Sequence, residues 1–267
     1  MRTDVNPFFA SRRQWPGLPT QTEPYRPIYA KLPRSPVNAS PVPTLTSLYH
    51  SAEAGDYGDR SYPGNCGGNL IRDLLRYFRP KTVFDPMSGS GTCRDVCREL
   101  GLECVSGDIH QGFDLCDPCE FSGATARFQR RTFDFVWIHP PYWRQKLYAD
   151  DPRDLSRAPT LDAFLERYGL ALAHCGYVLK PGGILAVLMG DYQDRQTGFV
   201  PLTYYTKRLA FDACGLRQAA TDIIRFSHCA SSSKKVYRTS FIPGLHDVCM
   251  LFQKPEQPTD QRSAYHD

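Results

Sequence analysis

The segment Phe84-Asp-Pro-Met-Ser-Gly-Ser-Gly-Thr92 joins a short apolar stretch, Thr82–Phe84, to a helical pattern, Thr92–Leu100, that Gly101 ends. A strand running through a glycine turn into a helix is the unit of an α/β fold, in which ligands bind beyond the carboxyl ends of the strands. Gly89 and Gly91 let the backbone turn sharply and come close to a ligand. The helix N-terminus behind them favours a carboxylate or another polar head group, and Asp85 ends the strand at the same crevice. Asp108 closes the next strand-like stretch, Leu102–Ser106, 19 residues after Gly89. An acid about 20 residues beyond such a loop binds ribose hydroxyls. The glycine spacing is not G-x-G-x-x-G, which disfavours a nicotinamide cofactor, and no Lys follows Gly91 as a P-loop requires.

The flanking sequence continues the alternation. Leu70, Ile71, Leu74, Leu75 and Phe78 recur at helical spacing, predicting an amphipathic helix over Asn69–Phe78 stopped by Pro80. Strands are predicted at Phe133–Ile138 and Ile184–Met189, and helices at Leu161–Leu179 (ended by Pro181-Gly182-Gly183) and Val200–Cys214 (ended by Gly215). A closing pair of strands follows at Ala220–Phe226 and Asp247–Gln253. This pattern implies a mostly parallel sheet with helices on both faces.

The chain has 267 residues, 32 Lys+Arg and 28 Asp+Glu. Residues 1–48 hold six of the basic residues, two of the acidic ones and nine of the 22 prolines, so they alone carry the net charge of +4. That segment reads as an extended basic arm, 49–254 as the folded domain and 255–267 as a polar tail. A hydrophobic share of 41% supports a real core rather than general disorder. The apolar run Ile184–Met189 is too short to span a bilayer. No secretory leader is read at the start, so a cytoplasmic setting without membrane contact is the expectation. The ten cysteines lie mostly in apolar or helical stretches. Cys93 and Cys97 are one helical turn apart, and Cys116-x-x-Cys119 has no second pair at zinc-site spacing, so buried or loop thiols are expected and no metal.

A second constellation is Phe133-Asp-Phe-Val-Trp-Ile-His-Pro-Pro-Tyr-Trp143. Two prolines cannot continue a central strand and make a rigid corner that fixes the Pro140 carbonyl. His139 and Tyr142 flank that corner.

Taken in order, these motifs resemble those of the S-adenosylmethionine-dependent amino-methyltransferases of nucleic acids, over roughly residues 60–254. The cofactor motif is similar to Asp85-Pro-x-x-Gly-Ser-Gly-Thr92. The catalytic motif is usually Asp, Asn or Ser before Pro-Pro-Tyr or Phe; here it is His139-Pro-Pro-Tyr142, a departure at the first position. Leu179-Lys-Pro-Gly-Gly183 and His246-Asp-Val-Cys-Met-Leu-Phe-Gln-Lys254 extend the likeness. The resemblance implies a class I, Rossmann-like methyltransferase fold with a seven-stranded sheet, and S-adenosyl-L-methionine as cofactor. It places Asp85, Pro86, Gly89, Ser90, Gly91, Thr92 and Asp108 at that cofactor, with Asn65 helping to hold its methionine end. It places catalysis at His139, Pro140, Pro141 and Tyr142.

The implied reaction methylates an exocyclic amine of a DNA base, adenine N6 ahead of cytosine N4, as in restriction-modification systems. The amine lone pair is conjugated into the ring, and acceptors at residue 139 and the Pro140 carbonyl would free it for in-line transfer. The base would be flipped from the duplex and stacked on Tyr142, assisted by Trp143. His139 accepts only through an unprotonated ring nitrogen, so activity is expected to fall on acidification through the imidazole range.

Three segments are read as possible nucleic-acid contacts. They are the arm, Trp143–Pro159 with Arg144, Lys146, Arg153 and Arg157, and Arg225–Arg238 with Lys234, Lys235 and Arg238. Deleting the arm should weaken DNA binding and flatten its salt dependence. The chain has little room for a separate recognition domain, so a partner for sequence recognition is possible and the oligomeric state stays open. RNA, a protein amide, or a catalytically silent cofactor-binding role are the alternatives.

Overall fold

A computed structural model describes residues 40–50, 55–122, 127–128, 133–226 and 244–256. Most of the basic arm, the Lys234, Lys235 and Arg238 cluster and nearly all of the tail lie outside the described residues.

The elements follow in order: β1 (Leu48–His50), α1 (Asn69–Phe78), β2 (Thr82–Asp85), α2 (Thr92–Leu100), β3 (Glu103–Ser106) and β4 (Phe133–Ile138). Then come α3 (Leu161–Val178), β5 (Leu179–Met189), β6 (Tyr192–Asp194), β7 (Gly198–Val200) and α4 (Leu202–Arg208). A π-helical turn (Leu209–Ala213), β8 (Arg217–Gln218), β9 (Ile223–Phe226) and β10 (His246–Gln253) complete the fold. Seven strands lie in the order β1-β9-β10-β5-β4-β2-β3, and β8 pairs with β10 as an eighth. Within this sheet all pairings are parallel except those of β10, which runs against β5, β8 and β9. The expected mostly parallel sheet is therefore present, with one strand more than the seven expected.

Strand side chains alternate between the two faces, and the core divides accordingly. Phe84, Val136, Leu185, Val187 and Phe252 pack with α3, whose Phe164, Tyr168, Leu172 and Cys175 are buried. Val83, Phe135, Trp137, Ala186 and Leu188 pack with Leu70, Ile71, Leu74 and Leu75 of α1 and Cys93, Val96 and Cys97 of α2. Helices thus cover both faces, the doubly wound, Rossmann-like arrangement.

Three boundaries differ from the sequence reading. Residues 48–50 form a strand parallel to β9 at the sheet edge, and Tyr49 and Thr44 hydrogen-bond Asp73 of α1 (3.0 and 2.7 Å). β5 begins at Leu179, not Ile184, because Leu179 already pairs with Phe133 of β4 and Lys-Pro-Gly-Gly forms a bulge, with Gly182 at a left-handed φ of 78°, before Ile184 pairs with Phe135. Gly182 N–H donates to the Lys254 carbonyl (2.9 Å) and Lys254 N–H to that of Gly183 (3.0 Å). A Cβ on Gly183 would meet the Lys180 carbonyl at 2.9 Å, so only glycine fits there. The helix expected over Val200–Cys214 is instead the end of a β6–β7 hairpin, then α4 and the π turn. Pro201, lacking an N–H, separates strand from helix. Among the described residues no helix is long and apolar enough to cross a membrane.

Candidate functional site

Because β2, β4 and β5 are parallel neighbours, their carboxyl ends share one edge of the sheet. The glycine loop leaves β2 there, the His-Pro-Pro-Tyr turn leaves β4, and Gly190 follows β5.

The glycine loop is held by backbone bonds. Gly89 adopts a left-handed φ of 46° and Gly91, which caps α2, one of 83°. Gly89 N–H donates to Asp108 Oδ2 (2.8 Å) and His110 N–H to Asp108 Oδ1 (3.0 Å). Ser88 N–H donates to the Gly107 carbonyl and Gly107 N–H to that of Asp85, each at 3.0 Å. The carboxylate of Asp108 therefore fastens the loop to the end of β3.

Asp85 is 2% exposed, and among the described residues its Oδ1 has no hydrogen-bond partner. Burial, reinforced by the nearby Cys104 thiol, pushes its carboxyl well above the usual carboxylate range. A buried acceptor left unmatched in this way is costly, and it is the kind of position a ligand donor completes.

Loop and turn open onto one cavity. Asn65, Asp85, Pro86, Gly89, Ser90, Thr92, Asp108, His139 and Pro141 all line it. Asn65 acts first as a strut: its amide donates to the Tyr57 and Asp59 carbonyls (2.9 and 3.0 Å) and to Ser90 Oγ (3.2 Å). Gly91 does not line the cavity but starts the helix behind it.

The second turn departs from expectation in several places. Pro140 is buried and Tyr142 half-buried, and neither lines the cavity. Tyr142 Oη lies 3.3 Å from His139 Nε2, and its ring packs so close to Gly190 that a Cβ there would meet it at 2.7 Å. Burial raises the Tyr142 phenol well above its ordinary value. Trp143 does not offer a stacking face. It is 1% exposed, and its indole N–H donates to the Ala158 carbonyl (2.9 Å). Arg144 is not a free phosphate contact either. It makes a two-pronged pair with Asp194 of β6 (2.7 and 3.0 Å), which holds that carboxyl below its usual range. Arg153 pairs with Asp151 (2.8 Å) and Arg157 with Asp150 (3.1 Å), so the basic character of Trp143–Pro159 is largely cancelled within the segment. Lys234, Lys235 and Arg238 lie outside the described residues.

Arg225, read as part of a basic loop, is instead 3% exposed. It donates to both carboxylate oxygens of Asp247 (2.8 and 2.5 Å) and to the Cys66 carbonyl (2.8 Å), tying the stretch ahead of α1 to the sheet.

The sequence reading missed Tyr62, His110 and Tyr148, which line the same cavity. Tyr62 stacks on Tyr148 (6.2 Å between centroids) and meets His110 edge-on (6.5 Å). The only signals were the Tyr- and Gly-rich approach to α1 and an aromatic among the charges after Trp143; nothing in their spacing joins them.

No protein-family model and no curated protein matches the chain. Among solved structures it is similar to TTHA0409 of Thermus thermophilus, a candidate DNA modification methylase complexed with S-adenosyl-L-methionine. The identity is 22% and the TM-score 0.34, over 48% of this chain and 51% of that one. It is also similar to TrmN of Thermus thermophilus (15%, TM-score 0.40, 69% and 48%). A SAM-dependent methyltransferase of Methanosarcina mazei is a third (11%, TM-score 0.44, 69% and 98%). The chain spans about half the length of the first two.

Proposed function

We propose that the chain is an S-adenosyl-L-methionine-dependent methyltransferase acting on an exocyclic amine of a DNA base, adenine N6 ahead of cytosine N4. The observation that carries this reading is the shared cavity, which brings the unmatched Asp85 carboxyl to one space with His139 and Pro141.

The residues present fit the cofactor. Its ammonium and ribose hydroxyls need acceptors, and its adenine needs an apolar or aromatic surface. The open Oδ1 of Asp85 supplies one acceptor. Asp108 keeps lone pairs on both oxygens beyond the single N–H that each accepts. Tyr62 and Phe113 line the cavity as aromatic surface. When bound, the cofactor supplies an electrophilic methyl group on a sulfonium.

The chain's own part is to hold the amine and take its proton. His139 and the carbonyl of Pro140 are the two acceptors that would draw the amine nitrogen out of conjugation. If Nε2–H of His139 donates to Tyr142 Oη, the acceptor of the neutral ring is Nδ1. After transfer the nitrogen sheds one proton, for which neutral Nδ1 is an acceptor. Tyr142 then serves as the orienter of His139.

A second reading is a cofactor-binding subunit without turnover. Two observations favour it: His139 where a carboxylate or amide is usual, and the pairing of Arg144, Arg153 and Arg157 with acids. Labelled methyl transfer to DNA, RNA and protein, followed by nucleoside analysis, separates the readings. N6-methyladenine in DNA is the expected product. Label in RNA or protein would move the substrate class, and measurable cofactor binding with no incorporation would establish the silent subunit.

A further inference from the structure

We propose that Cys93, Cys97 and Cys104 form a binding site for one soft metal ion of the Cu(I) class, set behind the glycine loop. The three sulfur atoms all lie within 4.8 Å of one another. Cys93 and Cys97 come from successive turns of α2, and Cys104 reaches them from β3. Three sulfurs sharing one ion through bonds of about 2.3 Å would stand about 4 Å apart in a flat triangle, so small side-chain rotations suffice to close the site.

Buried cysteines ordinarily pack as small apolar residues. These three differ because their sulfur atoms meet one another across two elements.

Ligand chemistry selects the ion. Three sulfurs, with no fourth Cys, His, Asp or Glu donor grouped with them among the described residues, complete a trigonal Cu(I) shell. The same set leaves a structural Zn(II) site one ligand short. Access is available, since Cys93 borders the cavity and Cys104 is half-buried. On binding, three S–Cu bonds form, thiol protons leave to solvent, and no electron is transferred. The bound ion would clamp α2 to β3, and with them the loop between Asp85 and Thr92. None of this depends on the methyl-transfer reading.

The test is an anaerobic Cu(I) titration of the reduced full-length chain against a competing chromogenic chelator. One ion per chain is expected in the wild type, and its loss in Cys104→Ser, the least buried of the three. The Cys116→Ser/Cys119→Ser double variant, which removes the only C-x-x-C, should keep the ion, and excess Zn(II) should not displace it. As a check independent of folding in variants, Cu(I) should protect Cys104 of the wild type from alkylation, read by peptide mass spectrometry. No stoichiometric Cu(I), binding that survives Cys104→Ser, loss in the C-x-x-C variant, displacement by Zn(II), or unprotected Cys104 would each overturn the assignment.

Discussion

The two turns at the carboxyl edge of the sheet are built differently. The glycine loop after β2 is shaped by local backbone, with two left-handed glycines and one carboxylate, Asp108, accepting the Gly89 N–H. The His139-Pro-Pro-Tyr142 turn after β4 is shaped by distant residues. Gly190 meets its tyrosine, Ala158 takes the indole N–H of Trp143, and Asp194 takes Arg144. A locally specified turn survives sequence change elsewhere, whereas a buttressed one inherits the stability of everything that holds it.

The buttressed turn should therefore break from farther away. Arg225 and Asp247 are buried and bidentate, and their charges act on Tyr142. Removing one partner with Arg225→Met should destabilise the chain by about 3–5 kcal/mol in urea unfolding. The double change Arg225→Met/Asp247→Leu should recover most of that loss; no recovery would mean that the Cys66 contact dominates instead.

His139→Ala strikes the second turn directly. Turnover should fall roughly 100-fold, with cofactor affinity within about twofold by calorimetry, because the first turn is untouched. In the wild type the chemical rate should drop on acidification, where the imidazole gains a proton and loses its acceptor. A flat profile between pH about 5.5 and 8, with chemistry limiting, would remove His139 from the mechanism.

Changes in the glycine loop should do the reverse. Gly89→Val places a side chain at positive φ and against Tyr62, whose ring would lie 2.9 Å from the new Cβ. Strain of about 1–3 kcal/mol should weaken cofactor binding at least tenfold. Asp85→Asn should also weaken binding, yet raise the melting temperature of the ligand-free protein at neutral pH. The sign follows from its raised carboxyl, whose stabilising influence in the folded state lies at low pH and is lost as pH rises through the folded value. An unchanged or lower melting temperature would show that Asp85 is matched by a partner.

The smallest effect belongs to Arg144→Lys. Losing the two-pronged geometry with Asp194 should cost about 0.5–1 kcal/mol. The depressed Asp194 carboxyl makes this contribution present at neutral pH and lost as pH falls through its folded value. An equal loss at low pH would assign it to packing over Trp143, whose ring centroid lies 4.2 Å from the guanidinium carbon.

Periodicity and turn chemistry made most of the fold legible. Asn69–Phe78, Thr92–Leu100 and Phe133–Ile138 form where their spacing places them, because amphipathic burial and glycine or proline stops act within a few residues. Lys180-Pro-Gly-Gly183 misled, since prolines and glycines read as a break, whereas here they form a bulge between two pairings with β4 and are tied to Lys254 after β10. Trp143 misled for a related reason. An aromatic beside a catalytic-looking turn reads as a ligand wall, and only the chain returning through Ala158 shows that it is core.

By itself, then, the sequence determined the alternation of strands and helices, the glycine loop with Asp85 and Asp108, and the proline corner, since each rests on residues a short span apart. Tertiary structure alone decided that Asp85 and His139 face one cavity, that Arg225 is an internal ion rather than a surface cation, and that Cys104 meets Cys93 and Cys97. Those are meetings across parallel strands and crossovers, set by which strand pairs with which, and no local spacing encodes that choice.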